Sequence, residues 1–129
     1  MNVGDVLRVH TTLTKPPKHK IVLYVGHHAG ADLFLWFNTN PRRERPAQMS
    51  VAPNEAPGIT HNCFLDCGRV TTFTAYELER ATRLGRASDL FLARVAQEIE
   101  LRAITLVTGH RKKIVNAIET ALSRWDRDG

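Results

Sequence analysis

Apolar side chains in the first half of the chain follow patterns that are typical of β-strands. Partial alternation of apolar and polar residues predicts a first strand near 4–12. Residues 21–25 and 33–37 are nearly continuous apolar runs, rich in β-branched and aromatic side chains, and they predict two buried strands. The glycines and histidines of 26–30 predict a short turn between them, so we expect an antiparallel hairpin.

The stretch 38–62 lacks this pattern and is predicted to be a long loop. It contains four prolines and few periodic apolar residues. A loop of that length in a compact domain usually serves a function or is disordered. A short strand around 48–52 fits within it, and a fourth main strand is predicted at 63–73.

Helix signals begin directly after the predicted fourth strand. Thr74 and Glu77 have the spacing of a capping box, in which the threonine hydroxyl accepts from the glutamate N–H and the carboxylate reaches back. We expect this helix to continue through Leu84 and to end at Gly85, a residue suited to a left-handed C-terminal cap.

Two further helices are predicted towards the C-terminus. Ser88 is a suitable N-cap residue, and the apolar positions that follow it share one helix face. Thr108 introduces another helix, in which apolar residues repeat every four positions. Residues 101–107 fit either a short strand or a loop packed on the core. Strands followed by helices form an α+β pattern, and we expect a small, curved antiparallel sheet or barrel followed by C-terminal helices.

Length and composition predict one cytoplasmic domain. The 129 residues fit a single domain over 1–129, with strands at about 4–73 and helices at about 75–124. Apolar residues make up 43% of the chain, and no apolar run is long enough to cross a membrane. The N-terminus also lacks the layout of a signal peptide. We therefore expect a cytoplasmic protein without a membrane partner.

Lysine and arginine give the chain a net charge of +5 and a pI of about 9.7. Much of the excess lies in three groups: Lys15, Lys18 and Lys20; Arg42, Arg43 and Arg45; and Arg111, Lys112 and Lys113. A polyanion partner such as nucleic acid explains such groups. A solvated basic surface explains them equally well, because two of the three groups fall in predicted loops.

The cysteines favour a reduced core over a disulfide or a metal site. On one strand, the backbones of Cys63 and Cys67 would lie roughly 13 Å apart, whereas a disulfide tolerates at most about 7 Å. A metal site with His61 is the alternative, but the same extension keeps one tetrahedral ion from reaching all three side chains. His27 and His28 are expected to be exposed turn residues that point to different sides. No metal or other cofactor is predicted.

Three pieces of the chain resemble the PemK/MazF family, the toxin components of toxin–antitoxin pairs. Gly4-Asp5-Val6 is similar to the family's opening glycine–acid–strand, and 21–25 stands where the family has its apolar second strand. Residues 65–71 are similar to the family's fourth-strand pattern, in which an acid is followed after a short gap by arginine and an apolar residue. The order of elements agrees over about the first 85 residues.

This resemblance implies an SH3-like barrel, a homodimer and an antitoxin-like protein as a partner. Active members of the family are metal-independent endoribonucleases that cut single-stranded RNA. The implied chemistry is attack by a ribose 2′-hydroxyl on the adjacent phosphate. Such a step needs a base for the hydroxyl, an acid for the leaving oxygen and a cation for the phosphate.

Candidate site residues follow from the positions that match the family. Lys18-His19-Lys20 stands where the family has arginine–proline before its second strand. His19 is therefore the implied acid or base, and the two lysines are the implied phosphate ligands. Asn38 and Thr39 match polar residues after the family's third strand, so Thr39 is counted as catalytic and Asn38 as RNA-binding. The alternatives are an exposed loop histidine and a plain turn.

Asp66 is the third implied catalytic residue, because part of the family keeps a functional acid at its position. If Cys63 and Cys67 point inward, alternation along the strand turns Asp66 outward, where it could act. A surface aspartate paired with an arginine is the alternative. The predicted loop would bind phosphates through Arg42, Arg43 and Arg45.

The absence of the family's arginine leaves two functions open. The first is a divergent toxin-like endoribonuclease that acts on single-stranded RNA through His19 and Asp66. The second is a non-catalytic module of the same fold, encoded on a mobile element, that binds nucleic acid or a protein.

Overall fold

The computed structural model describes residues 1–40, 47–103 and 108–128, and it shows an α+β fold. The strands are β1 (Asp5–Thr11), β2 (Lys18–His28), β3 (Ala31–Asn38), β4 (Gln48–Val51), β5 (Cys63–Asp66) and β6 (Thr82–Arg86). The helices are α1 (Ala75–Glu79), α2 (Asp89–Arg102) and α3 (Thr108–Asp128). The predicted fold class, a curved antiparallel sheet followed by C-terminal helices, is confirmed.

All six strands belong to one antiparallel sheet in the order β4-β5-β3-β2-β1-β6. The sheet is curved but not closed. The connection between β4 and β5 reaches the opposite edge strand, where Gly58 lies against Leu84 of β6. Gly58 has a φ of +77°, and a Cβ there would collide with Leu84. The positive φ favours glycine at this position, where the connection passes close to β6.

Both faces of the central strands are covered, which explains their continuous apolar runs. Leu23 and Val25 point into the main core, where α2 and α3 supply Leu92, Ile99, Ile114 and Ile118. A minor core on the other face contains Leu7, Val9, Val22, Tyr24 and Phe34. The 73–81 segment packs against the minor core through Phe73 and Leu78.

The strand predictions for the first half are largely confirmed. β1, β3 and β4 fall where the sequence indicates, and β2 and β3 form the expected antiparallel hairpin. The predicted 26–30 turn is too long, because β2 continues to His28 and leaves only Ala29 and Gly30 between the strands. Gly26 takes a φ of +133° at a register shift, which lets the strand pairing continue past it.

The predicted fourth strand at 63–73 is wrong in length, because β5 ends at Asp66. The Asp66 side chain ends the strand locally: its Oδ1 accepts from the backbone N–H of Gly68 at 3.1 Å. Beyond this turn, Thr71 forms an isolated bridge with Phe34, with reciprocal backbone hydrogen bonds of 2.9 Å.

The capping box is confirmed, but the length predicted for its helix is wrong. The Thr74 hydroxyl accepts from the Glu77 N–H at 3.1 Å, and the Glu77 carboxylate accepts from the Thr74 N–H at 3.0 Å. The helix ends at Glu79 instead of Leu84, and 82–86 forms β6 on the open edge of β1. Backbone pairing with an unsatisfied strand edge outweighs the local helix preference.

The later helix starts agree with the sequence. The Ser88 hydroxyl accepts from the Phe91 N–H at 3.1 Å as the N-cap of α2, and α3 begins at Thr108. Part of the ambiguous 101–107 stretch lies outside the described residues. In the described part of the chain, no helix is long and apolar enough to cross a membrane.

Both cysteines are free and buried, as predicted. Burial raises the pKa of the Cys67 thiol and also that of Cys63. Within residues 1–40, 47–103 and 108–128, no group of three or more His, Cys, Asp or Glu side chains is placed to hold a metal ion.

Candidate functional site

An open groove with a volume of about 520 Å³ lies between the start of β2, the end of β3 and the 58–62 segment. We call it the β2–β3 groove. Its polar lining consists of Lys18, His19, Lys20, Asn38, Thr39, Thr60, His61 and Asn62. Its apolar lining includes Ile21, Phe37, Ile59 and Cys63.

The groove brings together predicted site residues from two separate parts of the chain. Lys18, His19 and Lys20 begin β2, and Asn38 ends β3, with Thr39 directly after it. Because β2 and β3 are antiparallel neighbours, the start of one strand lies beside the end of the other. The hairpin predicted from the apolar runs therefore places these five side chains on one groove.

Lys20 and Asn38 contact each other directly across the hairpin. The Lys20 Nζ donates to the Asn38 Oδ1 at 3.0 Å and lies 5.1 Å from the centroid of the Trp36 ring. Asn38 is only 8% exposed, and its side chain together with the Trp36 ring fixes the position of the Lys20 ammonium. Thr39 is exposed at the rim and is accessible to a ligand.

His19 is exposed on β2, opposite a second histidine that carried no signal of its own in the sequence. His10 of β1 is the register partner of His19, and their ring centroids lie 4.9 Å apart at an angle of 60°. This edge-to-face contact restricts the orientation of the His19 ring. The strand pairing of 4–12 with 18–28 is the signal that would have revealed His10.

Sequence reasoning also missed the other wall of the groove, which carries His61 and Asn62. The His61 Nδ1 and the Thr60 hydroxyl are 2.8 Å apart, a hydrogen bond that fixes the imidazole ring. The segment is anchored by Ile59, which is 5% exposed and whose carbonyl accepts from the Asn54 N–H at 2.8 Å. The sequence pattern around His61 indicates only a metal ligand beside the cysteines.

Asp66 is not in the groove, and the prediction that its side chain faces outward is wrong. It is 2% exposed and accepts from the Gln48 Nε2 at 2.8 Å and from the Gly68 N–H at 3.1 Å. Alternation does not expose it, because β5 lies between β3 and β4 and Gln48 of β4 covers it in register. Asp66 holds the end of the β4–β5 pair and the following turn together.

The predicted phosphate ligands Arg42, Arg43 and Arg45 lie outside the described residues. Cys63 lines the groove but is 9% exposed, and burial raises the pKa of its thiol. A thiol with a raised pKa stays protonated near neutral pH, so Cys63 is poorly suited to act as a nucleophile.

A second basic depression lies between the N-terminus, β6 and α3, with a volume of about 590 Å³. We call it the β6–α3 cleft. Its charged lining consists of Asp5, His27, Arg83, Arg86 and Lys113. The Arg83 guanidinium forms an ion pair with the Asp5 Oδ1 at 3.2 Å, but the geometry is not that of a hydrogen bond. Arg86 donates to the Asp89 carboxylate at 3.1 Å.

The histidine of the cleft, His27, also contacts a carboxylate. The Asp32 Oδ1 lies 2.9 Å from the His27 Nδ1 and accepts from the Tyr24 hydroxyl at 2.9 Å. Burial, followed by the contact with Asp32, raises the pKa of Tyr24 to about 12. Burial alone would raise the pKa of Asp32, but the hydrogen bonds from His27 and Tyr24 outweigh it and lower that pKa.

No protein-family model matches the chain, and no curated protein matches it. The fold and the two depressions therefore supply the arguments about function.

Proposed function

We propose that this protein is an endoribonuclease that binds single-stranded RNA in the β2–β3 groove. The observation that carries this proposal is the convergence of Lys18, His19, Asn38 and Thr39 on one open groove. The PemK/MazF resemblance implies a role for each of these positions independently of their proximity. Cations, hydroxyls and an imidazole are the groups that phosphate recognition and proton transfer require.

The chemistry follows from the positions of these groups. Lys18 is exposed at the groove and attracts a backbone phosphate, while Asn38 fixes the Lys20 ammonium where β2 and β3 meet. His19 takes the proton from a ribose 2′-hydroxyl, whose oxygen attacks the adjacent phosphate. The exposed Thr39 hydroxyl donates a hydrogen bond to the phosphate oxygens or the ribose. The resemblance also implies a reaction without a metal ion and a homodimer with an antitoxin-like partner.

The direct test is cleavage of a labelled single-stranded RNA by the purified protein in the presence of EDTA. We expect cleavage that is lost when the ribose at the cleaved position lacks its 2′-hydroxyl. His19→Ala should lower the rate by about 100-fold or more. His27→Ala is the matched control, because His27 is 59% exposed and lies in the β6–α3 cleft. Cleavage that survives His19→Ala would refute this active site.

A non-catalytic binding module is the second candidate, and the burial of Asp66 favours it, since this residue was one of the implied catalytic groups. Binding without cleavage is the outcome that would support it. An RNA affinity that falls steeply with salt would then identify a nucleic-acid module. A flat salt response would indicate a protein partner instead.

A further inference from the structure

The proposed reaction lacks one participant, a proton donor for the leaving 5′-oxygen. Asp66 cannot supply this proton from its buried position beside Gln48 and Gly68. The described titratable side chains that line the groove are Lys18, His19, Lys20, His61 and Cys63. The two lysines are assigned to the phosphate, and burial raises the pKa of the Cys63 thiol. The groove therefore offers one imidazole besides His19.

We propose that His61 is the second acid–base residue of this ribonuclease and protonates the leaving oxygen from the loop wall of the groove. This inference rests on the proposed function, since it completes the same reaction. His19 lies on β2 and His61 on the 58–62 segment, and both line the β2–β3 groove. An RNA strand in the groove would pass between an imidazole on each wall.

The local structure holds His61 in place for this role. The Thr60 hydroxyl occupies the His61 Nδ1 at 2.8 Å, which leaves the Nε2 as the ring nitrogen for the substrate. The segment is fixed at one end by Gly58 against Leu84 and by the buried Ile59. A ring held at Nδ1 on an anchored segment is arranged as acid–base histidines commonly are.

The proton and electron balance closes with these two histidines. Neutral His19 accepts the proton of the 2′-hydroxyl, and the 2′-oxygen forms a bond to phosphorus. The bond between phosphorus and the 5′-oxygen breaks, and this oxygen takes the proton from the imidazolium of His61. The products are a 2′,3′-cyclic phosphate end and a 5′-hydroxyl end, and exchange with water restores both histidines.

A substrate with sulfur in place of the leaving 5′-oxygen tests this assignment, because a thiolate leaves without protonation. On ordinary RNA, His61→Ala should lower the cleavage rate by about 100-fold or more. On the sulfur-bridged RNA, the same variant should cleave nearly as fast as the parent protein. His19→Ala should be slow on both substrates, because the base is needed in each case.

Four outcomes are decisive. Rescue of His61→Ala by the sulfur-bridged RNA supports the assignment. Cleavage of ordinary RNA by His61→Ala at the parent rate overturns this inference and leaves the proposed function standing. The role as an acid is overturned if His61→Ala lowers the cleavage rate equally on both substrates and His61→Gln does the same. Thermal unfolding of His61→Gln must be unchanged for this comparison. If the parent protein cleaves neither substrate, the proposed function fails and His61 has no catalytic role.

Discussion

The β2–β3 groove and the β6–α3 cleft are both basic, but only the cleft has a carboxylate, that of Asp5, among its described lining residues. In the cleft, Arg83, Arg86 and His27 each contact a carboxylate at 2.9 to 3.2 Å. The described lining of the groove contains Lys18, Lys20 and two histidines, but no Asp or Glu. A polyanion in the cleft would have to compete with carboxylates that are part of the fold.

The comparison shows why net charge alone does not identify a nucleic-acid surface. The net charge of +5 counts the arginines of the cleft in the same way as the lysines of the groove. The structure separates them, because the fold has already matched the arginines with Asp5 and Asp89. We infer that the exposed Lys18 of the groove is accessible to a ligand, whereas Arg83 and Arg86 of the cleft contribute to stability.

Among the tests of this comparison, we expect the largest effect for Asp5→Asn, which should lower the stability of the protein. Asp5 is 3% exposed, accepts from the Asn2 N–H at 2.9 Å and pairs with Arg83. Removing its charge should lower the free energy of unfolding by about 2 kcal/mol, because the buried site loses its charged acceptor. Urea unfolding would measure this. An unchanged midpoint would show that the cleft carboxylate contributes nothing to stability.

Charge reversal of a groove lysine gives the next largest effect, and the same change in the cleft is its control. Lys18→Glu should weaken RNA binding by about tenfold at low salt and reduce the salt slope by about one. Lys113→Glu makes the same change of net charge in the cleft and should have little effect. Fluorescence anisotropy over a salt series would compare them. Equal weakening would mean that overall charge, and not the groove, controls binding.

Alkaline titration tests the Tyr24–Asp32–His27 chain of the cleft. A phenol with a raised folded pKa stabilises the protein below its ordinary pKa, and this contribution is lost as pH rises between 10.0 and about 12. Absorbance at the phenolate band should show a late step in the parent protein that Tyr24→Phe removes. Over the same window, the parent should lose stability relative to Tyr24→Phe. A titration without the late step would contradict both the burial of the Tyr24 phenol and its contact with Asp32.

The smallest effect is expected for Asp89→Asn. Its partner Arg86 is at i−3, and the two side chains are 26% and 32% exposed. Solvent screens this pair, so the loss should be about 0.5 kcal/mol, including the favourable position of Asp89 in the first turn of α2. Asp5→Asn and Asp89→Asn therefore form a matched pair that differs in burial. Equal losses in urea unfolding would show that burial does not distinguish the two carboxylates.

Local patterns were sufficient to predict β1 to β4, the β2–β3 hairpin and the helix caps at Thr74 and Ser88. The residues 21–25 and 33–37 are apolar throughout because both faces of the sheet are covered, and this signal is strong in a single sequence. β6 was missed because its formation depends on the open edge of β1, more than seventy residues away. A capping box at Thr74 fixes where a helix begins but not where pairing with another strand ends it.

The residues of the candidate site also divide into those that local strand pairing predicts and those that depend on contacts far along the chain. His19 and Asn38 could be expected to lie together, because an antiparallel hairpin determines which strand ends meet. His61 could not, since its place depends on the path of the 52–62 connection across the fold. Asp66 was misplaced because alternation assumes one solvated face, and Gln48 covers that face here.

The two walls of the β2–β3 groove also differ in how freely their sequences can change during evolution. Its strand wall belongs to the central β2–β3 hairpin, so substitutions there alter the sheet as well. The loop wall exposes Thr60, His61 and Asn62 beyond the anchoring Ile59. Homologues that keep the proposed His61 chemistry would therefore be expected to retain Thr60 and His61 and to diversify in substrate range at neighbouring exposed loop positions such as Asn62, at little cost in folding free energy.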